Sequence, residues 1–254
     1  MQNSIVDSRP TQVQLPVAYP ASRPWLMLLS RSALFFFFQL LIAVVLVLAG
    51  ISPAWMQAAR YWPFMAIFAN IVSIYLLVCL FRSEGKRYTD AIKFSRATWK
   101  KDLLWFIGAS VIGIPVAGAP MNILGQAIFG DRMTPVYMLF QTLPVWALVV
   151  SLLFPITVAF AELPTYFAYS MPGIAAQLKN GWIAWLIASF FLGAQHMFLP
   201  LIPDARFMFW RLLMYMPFAL FAGFFLKLRP TLLPYFMIVH ALVDFSAVAV
   251  YLMI

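Results

Sequence analysis

Hydrophobic and polar positions fall into long apolar runs separated by short polar breaks. The runs cover residues 33–52, 61–81, 103–125, 143–169, 182–200, 207–226 and 231–253. A helix needs about 20 apolar residues to cross a bilayer, so the pattern predicts seven spans. Each break has a physical cause: Ser52-Pro53, the basic segment after Arg82, Gly130-Asp131-Arg132, Pro172-Gly173, Pro200 through Pro203-Asp204, and Lys227 through Pro230. Continuous runs of this length fit helices and not the short alternating strands of a barrel. The expected fold is all-α, a polytopic transmembrane helix bundle of about seven spans, with no internal repeat.

Composition agrees with lipid as the solvent. Of the 254 residues, 64% are hydrophobic and 10% charged, against about 25% charged in soluble domains. Residues 1–30 carry Pro10, Pro16, Pro20 and Pro24 among polar neighbours and lack the layout of a signal peptide. They are expected to form a flexible cytoplasmic tail. Residues 31–142 are expected to hold the first helices and a basic loop at 82–102. Cys79, the single cysteine, excludes an internal disulfide and a cysteine metal cluster.

The net charge of +9 changes the picture only in its placement. Arg82, Lys86, Arg87, Lys93, Arg96, Lys100 and Lys101 crowd one segment between apolar runs, which reads as a cytoplasmic loop. Arg23, Arg31, Lys179, Lys227 and Arg229 join that side, against Arg60, Arg132 and Arg206 opposite. The asymmetry puts the N-terminus in the cytoplasm and the C-terminus outside. No nucleic-acid motif accompanies the basic stretch, so the expected partner is the bilayer and not nucleic acid.

Six of the eight acidic residues, Asp7, Glu84, Asp90, Asp102, Asp131 and Asp204, fall in the tail, in loops or at helix ends, where water is expected to solvate them. Glu162 and Asp244 lie within apolar runs, and so do both histidines, His196 and His240. Ionisable groups at membrane depth are costly and tend to be paired and functional. Two carboxylates and two imidazoles are also the usual groups of acid–base catalysis. His240 and Asp244 stand four apart and share a helix face. A rise of about 1.5 Å per residue puts all four some 10 to 20 Å deep, compatible with one layer.

The strings Glu162-Leu163-Pro164-Thr165-Tyr166-Phe167-Ala168-Tyr169, Leu192-Gly193-Ala194-Gln195-His196 and His240-Ala241-Leu242-Val243-Asp244-Phe245 resemble the three motifs of the CPBP family. These are the CAAX proteases and bacteriocin-processing enzymes, also called Abi. The family motifs run EExxxR, often as EEPGWRGY, then FxxxH, then HxxxN or HxxxD, on successive membrane helices. The resemblance covers residues 143–254. The third motif fits fully and the second has Leu192 where Phe is usual. In the first, Pro164 and Tyr169 match EEPGWRGY when Glu162 is the first glutamate, while Leu163 replaces the second and Phe167 replaces the Arg. The alternative register makes Glu162 the second glutamate, with Ala161 and Tyr166 at the first Glu and the Arg. In the first register an apolar pair four apart replaces a buried ion pair, an exchange that is often neutral for folding.

The resemblance implies an intramembrane endopeptidase in the plasma membrane of a bacterium, with residues 143–254 as a CAAX-protease-like core. Its substrate would be a membrane-associated peptide or protein. Glu162 and His196 would activate a water, and His240 and Asp244 would hold the oxyanion; Asp244 would otherwise orient His240 or bind a cation. No cofactor is favoured. If zinc is bound, its ligands would be Glu162, His196 and His240, a set with one open position but without the one-turn spacing of HExxH. Two rivals stand beside this reading: a catalytically inactive relative that binds membrane partners, and a proton-coupled transporter using the same buried groups.

Overall fold

The computed structural model describes residues 20–251, in which seven helices are long and apolar enough to cross a membrane. They are α1 (Arg23–Leu48), α2 (Trp62–Ser83), α3 (Trp99–Phe129), α4 (Val145–Leu178), α5 (Gly181–Phe198), α6 (Ala205–Leu228) and α7 (Pro230–Val250). The described residues contain no strand, and the chain is an all-α polytopic bundle. Short helices at Ala54–Ala59, Tyr88–Ala91 and Thr134–Leu139 cap the connections.

Two boundaries differ from expectation. The first helix begins at Arg23, so residues 23–30 of the expected tail are helical, while residues 1–19 lie outside the described part. Pro24 does not oppose this, because a proline in the first turn removes an N–H that has no intrahelical partner anyway. The turn that follows buries Met27 and Leu28. Pro172-Gly173 does not break α4, which continues to Leu178 and ends where Lys179 takes a left-handed conformation, φ 52°. Pro172 lies in the first turn of that last segment, and Gly173 lets Pro24 of α1 approach so closely that a Cβ there would lie 2.5 Å from the proline ring.

The helix that carries Glu162 is irregular next to it. Pro164 has no N–H to give to the carbonyl of Phe160, and the chain widens into a π-helical segment over Pro164–Ser170. The Tyr88 hydroxyl donates to that Phe160 carbonyl in place of the missing N–H. Tyr88→Phe leaves the carbonyl without this donor and is expected to lower stability by about 1 to 3 kcal/mol, readable as a thermal shift in detergent.

Packing pairs α5 with α6, α2 with α4, α4 with α7, and α1 with α2 and α4. One apolar cluster gathers Leu163, Tyr166 and Phe167 with Ala188, Leu192 and Ala222 from α5 and α6. The apolar pair expected from Leu163 and Phe167 is therefore buried in a single core. Gly223 makes room for it: a Cβ there would stand 2.6 Å from the Phe167 ring and 2.7 Å from Ser189 Oγ. Gly223→Ala gains about 1 kcal/mol of helix propensity against about 1 to 3 kcal/mol of overpacking, so a lowered melting temperature is expected.

Helix α3 packs along α6 and meets α7 only near its own start, where Phe106 lies against Tyr235 and Phe236. Only 6% of its apolar window is buried, against 44% for α2, α4 and α5. One end is pinned by Asp102, which is not solvated as expected but fully buried. It pairs with Arg229 and accepts hydrogen bonds from Thr98 (2.6 Å) and Thr231 (2.9 Å).

Candidate active site

All four expected residues meet. Glu162 lies on α4 two residues before the π-helical segment, His196 in the 3-10 turn that ends α5, and His240 and Asp244 on one face of α7. His240 Nε2 is 3.4 Å from Glu162 Oε1 and 3.1 Å from Asp244 Oδ2. His196 Nε2 is 3.9 Å from Glu162 Oε2. Glu162 and His196 are 2% and 6% exposed.

Local structure fixes one hydrogen of His196. Its Nδ1 is 2.9 Å from the Leu192 carbonyl, which only accepts, so Nδ1 carries a hydrogen and, in the neutral ring, Nε2 is the lone-pair side toward Glu162. Tyr215 stacks on the ring at 3.6 Å between centroids and 15° between planes. Arg211 donates to the His196 carbonyl (3.2 Å), to the Leu199 carbonyl and to the Tyr215 hydroxyl (3.2 Å), so one buried guanidinium holds both the turn and the stacking partner. His240 meets the edge of Phe218, and its Nδ1 is buried without a hydrogen-bond partner.

The sequence reading missed the cation. Arg31, counted there among the cytoplasmic charges, is 0% exposed inside the bundle. Its Nη2 is 3.4 Å from Glu162 Oε2, its Nε donates to Gln195 Oε1 at 2.7 Å, and its Nη1 donates to Asn70 Oδ1 at 2.9 Å. Gln195 Nε2 donates to Glu162 Oε2 at 2.7 Å, Tyr166 donates to Gln195 Oε1 at 3.2 Å, and Asn70 passes the network to Thr157 at 3.1 Å. The site is thus not confined to residues 143–254, since α1 and α2 supply Arg31 and Asn70. Arg31 is the guanidinium paired with Glu162, while Arg211 is taken up by two carbonyls and the Tyr215 hydroxyl and Asp244 has His240 as its ion-pair partner.

A cavity of about 40 Å³ is bounded by Glu162, His196, Arg211, Tyr215, His240 and Asp244 together with apolar walls. A second, of about 110 Å³, reaches the same Glu162, Tyr215, His240 and Asp244 from between α3, α6 and α7. Neither suits a zinc ion well. Glu162 already accepts from a guanidinium and an amide on the oxygen nearest His196, and that guanidinium repels a dication. Among the described residues no group of three or more His, Cys, Asp or Glu is placed to hold a metal. No protein-family model matches the chain, and no characterised protein or solved structure matches it either.

Proposed function

We propose that the chain is an intramembrane endopeptidase of the CAAX-protease type, hydrolysing a peptide bond in a membrane-associated peptide or protein. One observation carries the reading: the Glu162 carboxylate, with His196 Nε2 3.9 Å from one oxygen and His240 Nε2 3.4 Å from the other, stands on the wall of a cavity of about 40 Å³. A water needs roughly 10 to 15 Å³ and two to four polar partners. Held in that cavity, it gives one hydrogen to the open oxygen of Glu162, Oε1, and one to His196 Nε2, and turns a lone pair outward.

In this scheme Glu162 is the general base and His196 shares the proton. Arg31, Gln195 and the neutral tautomer of His196 keep both acceptors aimed at the water. As Glu162 takes the proton it ceases to attract His240 Nε2–H, which then faces the oxyanion forming on the scissile carbonyl. A preformed donor in a dry site acts far more strongly there than in water. Asp244, 3.1 Å from the same nitrogen, shares that hydrogen with Glu162 until the oxyanion draws it. The proton held by Glu162 passes to the leaving amine, so the base ends as it began and the bound water is consumed.

The basic segment between α2 and α3 and the residues Lys179, Lys227 and Arg229 flank the ends of α2, α4 and α6. This supports a cytoplasmic N-terminus, even with Arg31 removed from the count; the assignment to a bacterial plasma membrane rests on the family resemblance alone.

The test is cleavage of a membrane-tethered peptide library by the purified protein in proteoliposomes. The wild type is expected to cut and Glu162→Gln to fail, with wild-type activity unchanged by a chelator. Equal cleavage by both proteins overturns the reading.

A further inference from the structure

Tyr215 stands four residues after Arg211 on α6, so the two side chains leave one helix face. The Tyr215 ring stacks on His196, and its oxygen accepts from Arg211 Nη1 at 3.2 Å. A hydroxyl oxygen that accepts from a guanidinium turns its own hydrogen elsewhere. Among the described residues no group accepts that hydrogen. The cavities of about 40 and about 110 Å³ are both bounded by Glu162, Tyr215, His240 and Asp244. The unused O–H therefore belongs to a wall that both cavities share with the carboxylates and His240.

Peptide hydrolysis develops negative charge on the scissile carbonyl oxygen, and preformed donors aimed at that oxygen lower the barrier. His240 supplies one donor from Nε2. Asp244 supplies none, because the ionised partner of His240 only accepts, and its Oδ2 already faces that nitrogen at 3.1 Å. Arg211 is taken up by the His196 and Leu199 carbonyls and by Tyr215 itself. Arg31 and Gln195 are turned to Glu162 Oε2. This leaves the Tyr215 O–H as the uncommitted donor on the shared wall. Arg211 also strengthens it, since hydrogen bonds in a chain polarise one another in low dielectric.

We propose that Tyr215 is a further catalytic residue, whose O–H donates to the oxyanion forming on the scissile carbonyl alongside His240 Nε2–H. This rests on the hydrolytic reading above. The hydrogen stays on the phenol oxygen throughout: it follows the carbonyl oxygen as water adds to the carbon, and relaxes when the C–N bond breaks and the C–O double bond re-forms. The stack on His196 ties the position of this donor to the position of the group that holds the attacking water.

The experiment measures steady-state cleavage of the best-cut peptide of the membrane-tethered library by purified full-length protein in proteoliposomes. Tyr215→Phe keeps the ring on His196 and removes the hydroxyl. Its kcat is expected to fall about 10² to 10³-fold with KM little changed, the scale for one oxyanion donor. A second protein carries 3,5-difluorotyrosine at position 215, whose phenol ionises at lower pH than that of tyrosine. The phenolate still stacks and still accepts from Arg211 but has no hydrogen to give. Its kcat is therefore expected to fall with rising pH where the wild type holds its rate. Full kcat in Tyr215→Phe, a loss confined to KM, or a wild-type pH profile in the difluorotyrosine protein overturns the proposal while leaving hydrolysis by Glu162 intact. If Tyr215→Phe does not fold, the pH profile decides alone. If the wild type cuts nothing, the hydrolytic reading itself fails, and the role of Tyr215 falls with it.

Discussion

Arg31→Met is expected to lower stability by about 3 to 5 kcal/mol and to abolish peptide cleavage. The magnitude follows from what remains: removing one partner of a buried ion pair leaves the other charge uncompensated in low dielectric. The charge left behind is Glu162, 2% exposed, with His196 Nε2 facing it as a lone pair. The double variant Arg31→Met with Glu162→Gln removes both charges and is expected to recover most of the lost stability while remaining inactive. Thermal unfolding in detergent separates the cases. A stable Arg31→Met protein would show that Gln195 and the histidines satisfy Glu162 without the guanidinium. A double variant as unstable as the single would show that Arg31 acts through Asn70 and Gln195 instead.

The second large effect is catalytic. Positioned general bases typically contribute 10² to 10⁴-fold, so Glu162→Gln and His196→Ala are each expected to reduce turnover by about that factor. The effects should not multiply. In the proposed scheme both residues act on one water, their nearest side-chain atoms being 3.9 Å apart, and groups that act as a unit are grossly non-additive when removed together. The double variant is expected to match the more damaged single variant. Multiplicative losses would show that His196 and Glu162 serve separate steps.

The spans were legible because lipid imposes a pattern that survives any sequence detail: about 20 apolar residues between polar or proline-containing breaks. The pattern failed at residues 23–30, where a proline in the first helical turn resembles a proline of a tail, and at Pro172, which follows a π-helical segment instead of a helix end. Glu162, His196, His240 and Asp244 were legible because a titratable group in an apolar run is an anomaly. Arg31 was not, because it sits next to a proline-rich stretch where arginine ordinarily marks a membrane boundary. Arg211 lies within the sixth run and carried the same anomaly as the histidines. Asn70 and Gln195 are uncharged and so escaped a search for charge, although a buried amide in an apolar run needs a partner just as surely. Asp102 at a helix start looked solvated, and only the tertiary approach of Arg229 and Thr231 explains its burial.

The family resemblance left a chemical gap at Phe167, where an arginine is usual. Here the guanidinium beside Glu162 comes from α1, and Phe167 instead packs on Gly223. This division keeps a cation at the glutamate while turning the remainder of the first motif into apolar core.

The most direct test of hydrolysis at Glu162 is oxygen transfer from solvent. The purified protein is incubated with the membrane-tethered library in water enriched in oxygen-18, and new C-termini are read by mass spectrometry. Expected is one labelled oxygen in each newly formed carboxylate with the wild type and no such product with Glu162→Gln. Labelled product in equal amount from both proteins, or none from the wild type, would contradict it.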